Sequence, residues 1–211
     1  MDKKRTLTII GITGGSGSGK TTFIRQLQET FSKYEICVIS QDEYYIPREN
    51  QWKDDAGFEN FDLPASLDLQ AFHSDIQKVC GGETVVRKRY VFNNEASGAQ
   101  VVTYTPAPVI ILEGLFVFAH QPIHDIVDFK VFIHAKENLK VIRRIKRDQI
   151  ERNYPVDVVL YRYEKHVMPA FDQHIKPYYE NADIVINNNE NFYKGLAILT
   201  GFIRNKLDVE K

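Results

Sequence analysis

Cysteine is scarce: Cys37 and Cys80 are the only two in 211 residues. Two thiols so placed make neither a disulfide framework nor a zinc-ligand pattern, which leaves two reduced thiols in a cytosolic, cytoplasmic protein as the expectation. Long apolar runs are missing too. No stretch approaches the ~20 residues that a membrane helix needs. The basic N-terminus, MDKKRTLTIIG, carries only a short apolar segment and reads as a first strand, not a signal peptide. Net charge is nearly absent, 27 Lys and Arg against 28 Asp and Glu. That removes any global attraction to nucleic acid or an anionic membrane, so a polyanionic ligand must be gripped by local clusters. Histidine is scattered; His120 and His124 are four apart with Pro122 between them, which disfavours a helical metal pair. The histidines therefore read as structural or surface groups. No repeat or low-complexity segment divides the chain, and its length suits one domain over residues 1–211.

Short β-branched apolar runs are present, alternating with helical patterns. LTIIGI (7–12), EICVIS (35–40), PVIILEG (108–114), FKVFIHA (129–135) and ADIVIN (182–187) read as buried strands. Ile24, Leu27 and Phe31 share a helical face, as do Phe192, Leu196, Leu199, Ile203 and Leu207. This alternation predicts an α/β fold, a five-stranded and mostly parallel sheet covered by helices on both faces. Two regions interrupt it. Residues 84–106 alternate around a polar tip and predict a β-hairpin; residues 136–178 predict a long helical stretch, broken near Pro155. Such insertions commonly carry specificity or close over a site.

The most specific motif is GGSGSGKTT. Gly14, Gly19, Lys20 and Thr21 satisfy G-x-x-x-x-G-K-[ST], with a strand before and a helix after. Backbone N–H groups of Gly14, Gly15, Ser16, Gly17, Ser18 and Gly19 can curl around phosphate oxygens, and the following helix, beginning at Lys20, Thr21 and Thr22, points its positive end at them. Lys20 adds mobile positive charge, and the Thr21 hydroxyl suits Mg²⁺. Nucleoside triphosphate binding follows. A guanine-reading N-K-x-D is missing, as is an L-S-G-G-Q transporter signature. The lone Glu113 ending VIILEG fits water-mediated Mg²⁺ binding better than the paired acids of a hydrolytic motor.

Other residues admit two readings each. Asp42 sits just past the strand EICVIS, on the edge where α/β sheets bind ligands. It is either a base for an acceptor hydroxyl or a turn aspartate bonding its own backbone. Asp62, beside Phe61 in NFDLPASLD, either holds neighbouring sugar hydroxyls or belongs to a helix-start segment that includes Ser66 and Asp68. Arg143, Arg144, Lys146, Arg147 and Arg152 are either a solvated face or a lid that neutralises a transferring phosphoryl group.

Taken together, GGSGSGKTT, SQDEYY, NFDLPASLD, ILEG, RRIKRDQIERN and YEKHVMPAFDQHIKPYYENADIVI run in the order of, and resemble, the uridine kinase family, within the phosphoribulokinase and uridine kinase group of P-loop kinases. The resemblance implies a P-loop kinase-type three-layer sandwich with a hairpin insertion and a helical lid at about residues 143–156. It implies γ-phosphate transfer from ATP, with Mg²⁺, to the 5′-hydroxyl of a nucleoside. Asp42 would be the base near a metal served also by Thr21 and Glu113. Asp62 would hold the ribose, Arg144 would lie near the acceptor, and Lys20, Arg147 and Arg152 would act on the phosphates. Tyr90 and Phe92 stand in the family's aromatic positions.

Departures fall where the base is read. Glu95 occupies a histidine position, Arg162 a glutamine position, and Tyr154 stands where a lid arginine is common. Glu95 and Arg162 are expected either to pair across a rebuilt acceptor site or to be separate, with Glu95 in solvent. The sequence thus reads as a kinase for a small-molecule hydroxyl, uridine or cytidine first, with no nucleic-acid or membrane partner; homo-oligomers are open to it through the hairpin edge. A related kinase for a polyol or pantothenate-like acceptor, or a non-catalytic ATP-binding regulator, stands behind that reading.

Overall fold

A computed structural model describes residues 7–91 and 100–208. Five parallel strands form the sheet: β1 (Thr8–Thr13), β2 (Ile36–Ser40), β5 (Val109–Glu113), β6 (Phe129–His134) and β7 (Ile184–Asn187), in the order β2-β5-β1-β6-β7. Strands β3 (Val85–Lys88) and β4 (Val101–Tyr104) form a separate antiparallel pair, the expected hairpin; its tip lies outside the described residues.

All six residues of β1 are buried, because both sheet faces are covered. Ile10 and Ile12 on β1, Val109 and Ile111 on β5, and Val131 and Ile133 on β6 point to one side. There they meet Phe23, Ile24 and Leu27 of α1 (Lys20–Thr30) and Leu199 and Ile203 of α7 (Tyr193–Asp208). Ile9, Ile110, Leu112 and Phe132 point to the other side, against Phe72, Ile76 and Val79 of α2 (Leu69–Cys80), Ile123 of α3 (Gln121–His124) and Ala170 of α6 (Met168–His174). The period-two alternation of each strand thus builds the three layers. Phe31 is buried as expected, but it follows α1 in extended backbone instead of belonging to its face.

The helical stretch after β6 breaks where proline directs. Helix α4 (Glu137–Arg152) ends at Asn153, whose φ of 54° is left-handed, and Pro155 caps α5 (Val156–Arg162). A π-helical turn, Tyr163–Val167, leads into α6. Asp68 caps α2 by accepting from the N–H of Ala71 at 2.8 Å. No helix among the described residues is long and apolar enough to cross a membrane.

Phe23 ties the two helices of one layer together: it is fully buried and meets Phe192 edge-on, with ring centroids 5.2 Å apart. Phe23→Ala is expected to cost about 3–5 kcal/mol of stability, read from denaturant unfolding, since a buried ring leaves a cavity that the layer cannot fill.

Candidate active site

The loop Gly14–Gly19 leaves the carboxyl end of β1 and delivers Lys20 to the start of α1. Its curl depends on glycine where backbone runs against backbone. Gly17 has φ of 78°, and a Cβ there would sit 2.5 Å from the carbonyl oxygen of Lys140. Gly19 has φ of 99°, and its Cβ would collide with the amide of Asn188. That amide donates to the carbonyl of Ser18 at 2.8 Å, so the segment after β7 pins the loop from outside. Lys20 arches back and donates to the carbonyls of Gly14 and Gly15 at 2.6 and 3.2 Å. Burial lowers its pKa to about 8, against the opposing pull of Glu113 and Asp42.

Two acids face this lysine. Glu113 ends β5 and accepts from the hydroxyl of Ser40, the last residue of the neighbouring β2. Burial raises it to about 7, and the like charge of Asp42 adds to the rise. Asp42 follows β2 in a short 3₁₀ turn, Gln41–Tyr44. Ser40 caps that turn, its hydroxyl oxygen accepting from the Asp42 backbone N–H at 3.3 Å. It is open to solvent through the cleft mouth yet ringed by protein, and desolvation raises its pKa against the pull of Lys20, Arg147 and Arg152.

Arginines enter from α4. Arg144 is buried and forks onto Asp62, Nη1 to Oδ1 and Nη2 to Oδ2, each at 3.3 Å, while Nη1 also donates to Ser16 Oγ at 3.0 Å. Asp148, one turn on, lies 3.2 Å from Arg144 Nε, 2.8 Å from Arg147 and 3.5 Å from Arg152. These three cations hold the Asp148 carboxyl below the usual range despite its burial. Lys146 alone of the basic run is exposed.

One cleft of about 580 Å³ gathers Lys20, Thr21, Thr22, Asp42, Phe61, Asp62, Glu113, Arg144, Arg147, Arg152 and Arg162 with Ser16, Gly17 and Gly19. Gly14, Gly15 and Ser18 complete the loop behind it. Tyr90 reaches the cleft edge through Tyr45, whose ring is 5.4 Å from Tyr90 and 5.8 Å from Phe61. Phe92 and Glu95 lie outside the described residues. The partner of Arg162 within the described chain is Glu59, at 3.6 Å, a residue not considered from the sequence. Ser40, Tyr45, Asp148 and Asn188 were missed as well. Asp148 had a signal, standing four residues from both Arg144 and Arg152; Asn188 had none, since its partner is Ser18 far away in the chain.

A glycine cradle, a buried lysine, two acids and an arginine cluster around one cleft define a phosphate-transferring enzyme of the P-loop class. The chain belongs to the Phosphoribulokinase / Uridine kinase family, which residues 9–191 match. It is 31% identical over 202 residues to a uridine kinase of Macrococcus caseolyticus (strain JCSC5402), covering 96% of this chain and 98% of that one. It is 32% identical over 203 residues to a uridine kinase of Chlamydia pneumoniae, covering 96% and 91%. Solved structures share the fold. A "possible uridine kinase" from Bacillus stearothermophilus superposes with a TM-score of 0.59 at 19% identity, over 85% of this chain and 88% of that one. The phosphoribulokinase from Rhodobacter spheroides gives 0.59 at 17%, over 87% and 71%. The protein is a kinase that transfers phosphate to a hydroxyl of a small molecule.

The acid pair gives a pH-dependent test. The unfolded chain releases the Glu113 proton near its ordinary 4.5, whereas the folded protein keeps it to about 7. Stability is therefore lost as pH rises between those values, and the full cost persists above 7. Glu113→Gln is expected to raise the Tm of the nucleotide-free protein at pH 8 by a few degrees and to change it far less at pH 5, measured by differential scanning calorimetry.

Proposed function

We propose that this kinase uses ATP and Mg²⁺ to phosphorylate a small acceptor, with the 5′-hydroxyl of a nucleoside, uridine or cytidine first, as the acceptor class. The observation carrying the reading is the meeting of Lys20, Asp42, Glu113 and the α4 arginines in one cleft. The nucleoside class comes from the names of relatives that align over nearly the whole chain.

In this reading the loop amides and Lys20 hold the β- and γ-phosphates. The acceptor oxygen attacks the γ-phosphorus as the bond to the β–γ bridging oxygen breaks; ADP leaves, and the acceptor proton passes to Asp42. Asp42 lines the cleft together with Lys20, Arg147 and Arg152, where a carboxylate can receive that proton. Arg147 and Arg152 spread the charge of the moving phosphoryl group. Thr21, Asp42 and Glu113 are hard oxygen donors lining one cleft, so this set suits Mg²⁺. Bound there, Mg²⁺ would neutralise phosphate charge. Asp62, Phe61, Tyr45 and Tyr90 would form the acceptor wall.

ADP release coupled to a colour change, run with Mg-ATP against uridine, cytidine, purine nucleosides, pantothenate, ribulose 5-phosphate and no acceptor, tests the reading. Acceptor-dependent turnover on a pyrimidine nucleoside is expected; slow acceptor-independent hydrolysis would mark a nucleotide-binding regulator instead. Asp42→Asn is expected to lower kcat by roughly 10²–10⁴-fold with a much smaller change in the KM for the acceptor, as for loss of a general base.

A further inference from the structure

Arg162 is a cation that the phosphate chemistry does not use. It ends α5, is only 8% exposed, and lines the same cleft as Asp42, Phe61 and Asp62. Its neutralisation is thin. Nη2 lies 3.6 Å from Glu59 Oε2, beyond good hydrogen-bond reach. That same oxygen already accepts from Arg48 Nη2 at 3.2 Å. The buried Nε of Arg162 has no partner among the described residues. Among the described residues, two guanidiniums thus share one carboxylate, and the Nε edge of Arg162 has no partner. Arg144 differs, with Asp62 on its fork and Asp148 beside its Nε.

The Arg162 guanidinium is also held still. Its centre is 4.6 Å from the ring of Tyr154 and 5.6 Å from that of Phe58. A fixed, desolvated guanidinium, with an Nε unpartnered among the described residues, matches an oxyanion, since its planar fork can meet two oxygens of a carboxylate or a phosphate through charge-assisted bonds. A neutral group offers it less. We infer that Arg162 reads an anionic group on the acceptor, so that a hydroxyl compound bearing a carboxylate or phosphate is preferred over its neutral counterpart. This rests on the kinase reading above and narrows the acceptor within it.

The test compares matched acceptors with the wild-type enzyme: uridine with 5-carboxyuridine, pantothenol with pantothenate, and ribulose with ribulose 5-phosphate. In a pair that turns over, the anionic member is expected to have the higher kcat/KM by about tenfold or more, the worth of one charge-assisted hydrogen bond. The carboxylate and phosphate arms separate the two oxyanions. Arg162→Gln is expected to abolish the preference mainly through KM, and Arg162→Lys to restore part of it. Preference for neutral members, or a preference that survives Arg162→Gln, overturns the inference and leaves the kinase reading intact. Acceptor-independent ADP release with every compound overturns both. Should Arg162→Gln fail to fold, the wild-type pairs alone decide.

Discussion

The arginine side of the active site hangs on one carboxylate shared among three guanidiniums. Asp148 is almost wholly buried and touches Arg144, Arg147 and Arg152 together. Without it, three like charges would repel one another on one helix, and Arg144 would keep only Asp62 as its acid partner among the described residues. With it, the cluster is stable while still carrying surplus positive charge toward the cleft. Arg144 then extends the network to Asp62 and Ser16, so the arginine helix, the Asp62 segment and the glycine loop are electrostatically one unit.

On the opposite side the imbalance has the other sign. Glu113 and Asp42 come close because β2 and β5 are adjacent parallel strands whose last residues, Ser40 and Glu113, are in register. Lys20 answers part of that charge but is itself weakened as a cation by burial. Strain of this kind is the ordinary signature of a site made to receive a charged ligand.

Much of this was legible in the sequence, and the reasons differ by level. The five sheet strands were readable because both faces are covered, which leaves continuous β-branched runs such as TIIGIT, and the hairpin from its alternation. The loop was readable because close backbone approach leaves almost no choice but glycine. Tyr45, Glu59 and Asn188 were not readable, since their roles arise from contacts between segments far apart in the chain. Asn188 meets a carbonyl 170 residues earlier, and no local pattern encodes that. Arg162 was singled out from the sequence, but its charge partner had to come from the fold.

The sheet order has a consequence for how the chain reaches this state. Strand β1 carries the phosphate loop yet pairs only with β5 and β6; Ile10 lies beside Ile111 and Phe129. Among the described residues, strand β2 at the sheet edge pairs only with β5. During synthesis both early strands therefore lack these partners until Val109–Glu113 has emerged. Long-range parallel pairing of this kind is slow to nucleate and exposed to wrong partners meanwhile. The arrival of β5 is the event that converts a row of sticky segments into a sheet, and it brings Glu113 to the site in the same movement.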